Sequence, residues 1–284
     1  MKKSNCTNRM AIILFVFLLP FNLHAEIKTP MVFPGKDSLI LELVELALQK
    51  SGKSHTVNHA NEYLSDARLV EEVRNGHIDL IWAGASQDLQ NQLQAVKIPI
   101  FKGLAGYRTF VIEKNSQYKF ASVRNIHDLR TLKAGLGRFW SDTKILEAAH
   151  LNVIKPVKAD SLFHMVEGGR FDFLPLGVHE SRGVVEAQDG LNLAVEDNIL
   201  LVYPSAMYFY VSKQNTSLFQ DINNGLEIAI KDGSFNEVFY NSELIRTTFE
   251  TSKLTERVVI NIDNPYLPKD APIERKELWL DINR

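Results

Sequence analysis

Apolar residues recur three and four apart over residues 38–50, where Leu39, Ile40, Leu43, Val44 and Ala47 form one stripe. That is the spacing of a helix with one buried face, and Gly52 suits its C-terminal stop. The same spacing predicts a helix capped by Asp66 that carries Leu69, Val70 and Val73 to a stop at Gly76, and another over 217–231 with Leu218, Ile222, Leu226, Ala229 and Ile230 inward and Gly233 at its end. Further helices are expected around Ile126 and Leu129, over 160–167, from Val178, and at 235–240. Strand-length runs lie at 54–59, 78–83, 107–112, 153–157, 171–176, 200–203 and 207–211. The run at 78–83 is almost unbroken apolar, as in a strand covered on both faces. Residues 29–34 read as a short extended start, and 96–101, with Pro99, as an edge or crossing segment. Helices alternating with such strands predict an α/β protein with parallel pairing. Residues 264–284, with Pro265, Pro268 and Pro272, read as an extended tail held down by Leu267, Leu278 and Trp279.

The stretch 132–149 is the most informative. Leu132, Ala134 and Leu136 alternate as in a strand, Gly135 and Gly137 suit a sharp exit, and from Ser141 a helix begins with Ile145, Leu146, Ala148 and Ala149 on one side. Ser141 or Asp142 suits its N-cap. A helix starting at the end of a strand in an open α/β sheet opens a crevice that favours an anionic group. Arg138 and Trp140 stand in that loop.

Lys2, Lys3 and Arg9 precede an apolar run over 11–19 that ends in Asn22-Leu23-His24-Ala25, the layout of a secretory leader spanning 1–25. The run is about half the ~20 residues needed to span a bilayer, so a periplasmic chain without a stable membrane anchor is expected. Cys6, the one cysteine of the sequence, lies ahead of that run. Loss of the three basic residues leaves 29 (32 − 3) against 34 acidic, a net charge of −5. That balance gives no reason to expect nucleic acid as a partner. A chain that keeps no cysteine must hold together by its hydrophobic core. A short echo runs inside it: Gly76-His-Ile-Asp79 and Gly169-Arg-Phe-Asp172 each close a striped helix and open an apolar strand, with Asp79 and Asp172 expected as structural rim residues.

Three segments carry a family resemblance: residues 76–84 (GHIDLIWAG), residues 101–111 (FKGLAGYRTFV) and Ile126-His-Asp-Leu129 before the central strand. The closing stretch, from Asn224-Gly-Leu to Gly233-Ser-Phe-Asn-Glu-Val-Phe239, fits as well. In this order they resemble the type II periplasmic solute-binding proteins, and among them the amino-acid ABC transporter group, over about 38–240. The resemblance implies two lobes, each a mixed mostly parallel sheet flanked by helices, joined by two crossings. The first lobe would take 26–106, the second 107–206, and the chain would return to the first over 207–284 with its tail. It implies a monomer without cofactor that closes on a small-molecule ligand and presents it to an ABC permease or a membrane sensor. By position, Gly84 and Ser86 would contact an amino-acid head group, and Ser141 and Asp142 would help hold a carboxylate. Two positions depart from the pattern. Residues 88–94 contain no arginine, and Gly177 stands where an acid for the amino group is usual, Glu180 being the nearest replacement.

From the residues themselves, Arg108 and Arg138 are candidate carboxylate clamps, otherwise a salt-bridge partner and a solvated charge. Trp82, Trp140 and Tyr107 are candidate stacking platforms, otherwise core. Glu180 would bind an amino group or simply begin a helix. A small polar, anionic or amino-acid-like ligand is the expectation. A lyase or dehydratase using Glu180 or Asp142, and a degenerate binder acting through protein contacts, are the alternatives. Ser141-Asp-Thr-Lys144 matches S-x-x-K without companion motifs, no G-x-S-x-G occurs, and His55 and His59 flank a strand, where their spacing does not converge on a metal.

Overall fold

A computed structural model describes residues 25–53 and 55–282. The leader expected at 1–25 (Ala25 excepted), Ser54 of the strand expected at 54–59 and the last two tail residues lie outside them. In chain order the elements are β1 (Ala25–Thr29), α1 (Ser38–Lys50), β2 (His55–His59), α2 (Asp66–Arg74), β3 (Leu80–Gly84), α3 (Gln87–Gln92), β4 (Gln94–Val96) and β5 (Tyr107–Glu113). Then come α4 (Ile126–Leu129), β6 (Lys133–Gly135), α5 (Ser141–Ala148), β7 (Asn152–Ile154), α6 (Leu162–Glu167), β8 (Leu174–Gly177), α7 (Ser181–Glu186), β9 (Leu193–Val195) and β10 (Ile199–Val202). The chain closes with β11 (Met207–Val211), α8 (Thr216–Asp232), α9 (Ser234–Asn241), α10 (Glu243–Ser252) and β12 (Val258–Asn261).

The strands form two lobes. In the first, β11 lies between β3 and β4, and β1 pairs with β2. In the second, the order is β12-β10-β5-β8 with β9 also on β5, while β6 pairs with β7. Pairing is parallel for β1 with β2, β6 with β7 and β10 with β12, and antiparallel wherever β5 or β11 takes part. Both of those strands directly follow a crossing between lobes, so each enters its sheet against the run of its neighbours. β12 pairs with β10 in the second sheet, so the chain after Met207 contributes to both sheets.

Each lobe carries its own core. Leu39, Leu43 and Ala47 of α1 meet Ile222, Leu226 and Ala229 of α8 over Phe209 in the first. Phe110, Phe120 and Phe173 pack together in the second, with Phe110 and Phe173 ring centroids 4.3 Å apart. The internal echo has a common geometry. Gly76 and Gly169 both sit in the left-handed region, φ 74° and 69°, and close their helices with the same pair of backbone bonds. Asp79 N–H then donates to Lys28 O and accepts Lys28 N–H on its carboxylate, both at 2.8 Å. Asp172 does the same with Lys133, at 2.8 and 2.9 Å. Each aspartate ties the start of one strand to its neighbour, the rim role expected of it.

Several expectations change. The extended start is β1, which ends at Thr29, where the expected 29–34 begins, because Ile27 and Thr29 alternate into the core. Ser65 rather than Asp66 is the N-cap of α2, and Trp140 rather than Ser141 or Asp142 that of α5, so the acids occupy first turns. The polar α3 and α10, and the short β9 and β12, appear where no stripe or alternation marked them.

α1 and α8 approach so closely that a Cβ on Gly225 would lie 1.9 Å from Ala47 O. Gly225→Ala should therefore cost about 1–3 kcal/mol by forcing the helices apart. Gly183→Ala in α7, where a Cβ meets nothing within 4 Å, should be neutral or stabilising by up to ~1 kcal/mol. Thermal unfolding of the two variants side by side checks both; equal melting temperatures would contradict the packing.

Candidate functional site

The start of β5, an inner strand of the second sheet, gathers the charged candidates. In the register of β5, Arg108 lies opposite Gly177 on one side and Leu201 on the other. Tyr203, two residues past Leu201, therefore shares the face of Arg108. The Arg108 guanidinium donates to Asp142 Oδ1 at 2.6 Å, sits 5.6 Å from the Tyr203 ring centre and lies 3.7 Å from Glu180 Oε1. Tyr203 O–H donates to the same Asp142 oxygen at 2.5 Å. Arg108 is 12% exposed at its side chain and its Nε–H is buried with no acceptor. Burial alone would lower the Arg108 pKa, but Asp142, Tyr203 and Glu180 hold it above the ordinary arginine value. Burial, aided by Asp142 and opposed by Arg108, raises the Tyr203 phenol. Both groups stay protonated and both point at Asp142.

Gly177 explains how Glu180 reaches this place. A Cβ at 177 would lie 3.0 Å from Glu180 Oε1 and 2.8 Å from His179 Cε1. The glycine clears space that the two later side chains fill, and its own N–H donates to Glu180 Oε1 at 2.8 Å. His179 stacks on Phe101 of the first-lobe core, ring centroids 5.2 Å apart. Burial, chiefly, holds its imidazole below the ordinary value, with the charges of Arg108 and Lys36 adding to this and Glu180 opposing it. Lys36 stands in the loop between β1 and α1, so the first lobe brings a cation near the cluster.

The remaining candidates fall elsewhere. Tyr107 neighbours Arg108 on the strand and so faces the other way, its O–H donating to Leu280 O at 3.3 Å; burial, then Asp281, raises its pKa. It does not join the cluster. Arg138 is exposed and reaches Lys155 O at 3.4 Å, and Ser141 is exposed on the first turn of α5. Trp140 lies flat on Gly137, where a Cβ would be 2.6 Å from the indole, and Phe171 covers Gly135 in the same way. Those glycines serve ring packing and have no positive φ. On the first lobe, Trp82 is half-buried against the core, opposite Phe209; exposed Gly84 ends β3; and Ser86 caps α3 by accepting Leu89 N–H at 3.2 Å. Sequence reasoning missed Tyr203, His179 and Lys36. Only a pairing register could have put Tyr203 beside Arg108. Among the described residues, no group of three or more His, Cys, Asp or Glu is placed to hold a metal ion.

Neither a protein-family model nor a curated protein matches the chain. Solved structures do. The extracellular-binding protein ytmK of a probable amino-acid ABC transporter from Bacillus subtilis superposes with a TM-score of 0.58 at 14% identity, over 78% of this chain and 97% of that one. The fold is that of the type II periplasmic binding proteins. An ancestral arginine-binding protein bound to arginine gives 0.52 at 18% identity, over 78% of this chain and 98% of its own, and YCKB of Bacillus subtilis gives 0.52 at 16%, over 84% and 96%.

Two predictions test the cluster. Asp142→Ala takes the hydrogen-bonded carboxylate from a buried guanidinium and leaves it only Glu180, 3.7 Å away, so it should cost up to about 3–5 kcal/mol in urea unfolding; a loss under 1 kcal/mol would show that the pair is solvated. The second concerns His179. Unfolded, this histidine takes up a proton below about pH 6.5, whereas in the fold it stays neutral. Its contribution is complete above that pH and is lost as pH falls below it, by at most ~1.4 kcal/mol per unit. His179→Gln should flatten the dependence of unfolding free energy on pH between about 6.5 and 5 by close to one proton. An unchanged slope would mean that the ring is accessible.

Proposed function

We propose that the protein is a periplasmic solute-binding protein that closes on a small amino-acid-like ligand carrying an ammonium group. The observation behind this reading is the charge around the start of β5. Arg108 is already balanced by Asp142, Glu180 adds a second carboxylate 3.7 Å away, and His179 is neutral, so the second-lobe side of the cluster carries a net charge of −1, with Lys36 the cation that the first lobe brings near it. A purely anionic ligand would meet an arginine in use and an acid in excess. An amine placed against Glu180 and Asp142, with a ligand acceptor turned toward the Arg108 Nε–H, would satisfy both. Glu180 takes the part of the acid that Gly177 replaces, while Gly84 and Ser86 at the end of β3 and Lys36 face the ligand from the first lobe. Two of the superposing structures hold arginine and glutamine, ligands of this kind. Ligand that touches both lobes would favour the closed form, which an ABC permease or a membrane sensor reads. No helix among the described residues is long and apolar enough to cross a membrane.

The test is thermal unfolding against arginine, glutamine, ornithine, putrescine, succinate and citrate. An amine-bearing compound at 100 times its dissociation constant should add about 2.7 kcal/mol, a rise of several degrees, and be recovered unchanged by mass spectrometry. Glu180→Gln should weaken that compound at least tenfold. A shift with succinate or citrate alone would reverse the assigned charge, and a product in place of the added compound would replace binding by catalysis.

A further inference from the structure

We infer that residues 257–282 form a strap across the back of the hinge that fixes the angle between the lobes. The inference is independent of which ligand the cleft takes. The strap is fastened at one end to the second lobe: β12 runs beside β10, and the Arg257 guanidinium donates to Glu196 O at 2.6 Å. At the other end it is fastened to the first lobe. The Arg275 guanidinium grips Glu227 of α8 through two bonds of 2.6 and 2.9 Å, Lys97 pairs with Asp270 at 2.5 Å, and Leu278 and Leu280 enter the first core.

Between these ends it bonds to the backbone of both crossings. Ile262 N–H donates to Val202 O at 2.9 Å and the Asn264 amide to Pro204 O at 2.8 Å, on the return crossing. On the outward crossing, Leu280 N–H donates to Lys102 O at 2.7 Å, and the Lys102 ammonium donates to Glu277 O at 2.5 Å. The Trp279 ring lies against Gly103, where a Cβ would sit 2.5 Å from it. Hinge closure is absorbed by large dihedral changes at a few residues. Here carbonyls of both crossings are the strap's acceptors, so the strap limits how far those dihedrals change while it stays in place.

The strap lies on the opposite side of β5 from the charged cluster, since Tyr107 bonds it and Arg108 turns the other way. Rotation that brings the lobes together over Arg108 opens the strap's side, and a strap of fixed length sets how far it opens. A recess of about 690 Å³ lies on that side, lined by Tyr107, Val202, Asn236, Val259 and Trp279. The ytmK structure is matched over nearly its whole length by 78% of this chain, so this chain carries residues beyond the shared fold.

The test uses spin labels on exposed Arg74→Cys of α2 and Lys144→Cys of α5, in the full chain with Cys6→Ser, so that no other thiol is present. Pulsed electron resonance then reads the interlobe distance distribution without added ligand. In one variant Arg275→Ala and Trp279→Ala release the first-lobe end. In the other, Gly-Ser-Gly-Ser is inserted after exposed Asp263, which lengthens the strap while keeping every anchoring side chain. Both should broaden the distribution and shift its mean. Should the double alanine variant fail to fold, the insertion decides. Distributions that superpose on that of the unaltered strap would overturn the inference. So would unfolding of the insertion variant, because the strap would then be an integral part of a core.

Discussion

The two crossings between lobes touch. Tyr203 N–H donates to Gly106 O at 3.1 Å, and a Cβ at Gly106 would lie 1.9 Å from Tyr203 O, so any side chain there would drive the segments apart. This contact sets where the next residue on each segment goes. From Gly106 the chain passes directly into Tyr107 and Arg108, which leave opposite faces of β5. From Tyr203 the phenol extends to Asp142 at the start of α5. The charged cluster and the C-terminal strap therefore hang from the same few residues, one on each face. A change in the angle between the crossings is felt at once by the guanidinium and by the strap's acceptors.

The parts of this arrangement that were legible in the sequence are those governed by local periodicity. α1 spans the residues its stripe marks, and Gly76 and Gly169 stop their helices as expected because the left-handed cap is a local event. The echo around Asp79 and Asp172 was visible as a short match. Its meaning, one acid tying two neighbouring strands in each lobe, needed the pairing of Lys28 and Lys133 to be known. The site was half legible for the same reason. Arg108, Asp142 and Glu180 were all candidates, yet their meeting depends on 34 and 72 residues of intervening chain folding first. Tyr107 was grouped with Arg108 although strand alternation already separates them. α10 and β12 went unread because their roles are set by where the chain crosses between lobes, and no nearby pattern records that.

The strand-to-helix turn is what raised the expectation of an anionic or amino-acid-like ligand. Dipole and arginines argue for an anion when each is taken alone. In the fold, Arg138 points at the Lys155 carbonyl and Arg108 is consumed by Asp142, so the positive charges are not additive at one point. Gly177 looked like a loss of the amino-group acid. In the fold, Glu180 Oε1 lies 3.0 Å from where a side chain on 177 would begin.

A buried ion pair is weak evidence for stability, because removing two charges from water costs several kcal/mol per ion and apolar residues of similar volume often do better. Arg108 goes further against stability, since its Nε–H has no acceptor in a place closed to water. Phe110, two residues along the same strand, shows what a purely structural choice looks like: a ring packed against Phe173 and Phe120 with nothing left unsatisfied. A cluster that keeps a guanidinium with one unsatisfied N–H, two carboxylates and a neutral histidine beside the crossings accepts an energetic cost that packing does not require. Under the proposed function, recognition of a ligand's charges would account for that cost, and the Arg108–Asp142 bond would be the contact a ligand competes with.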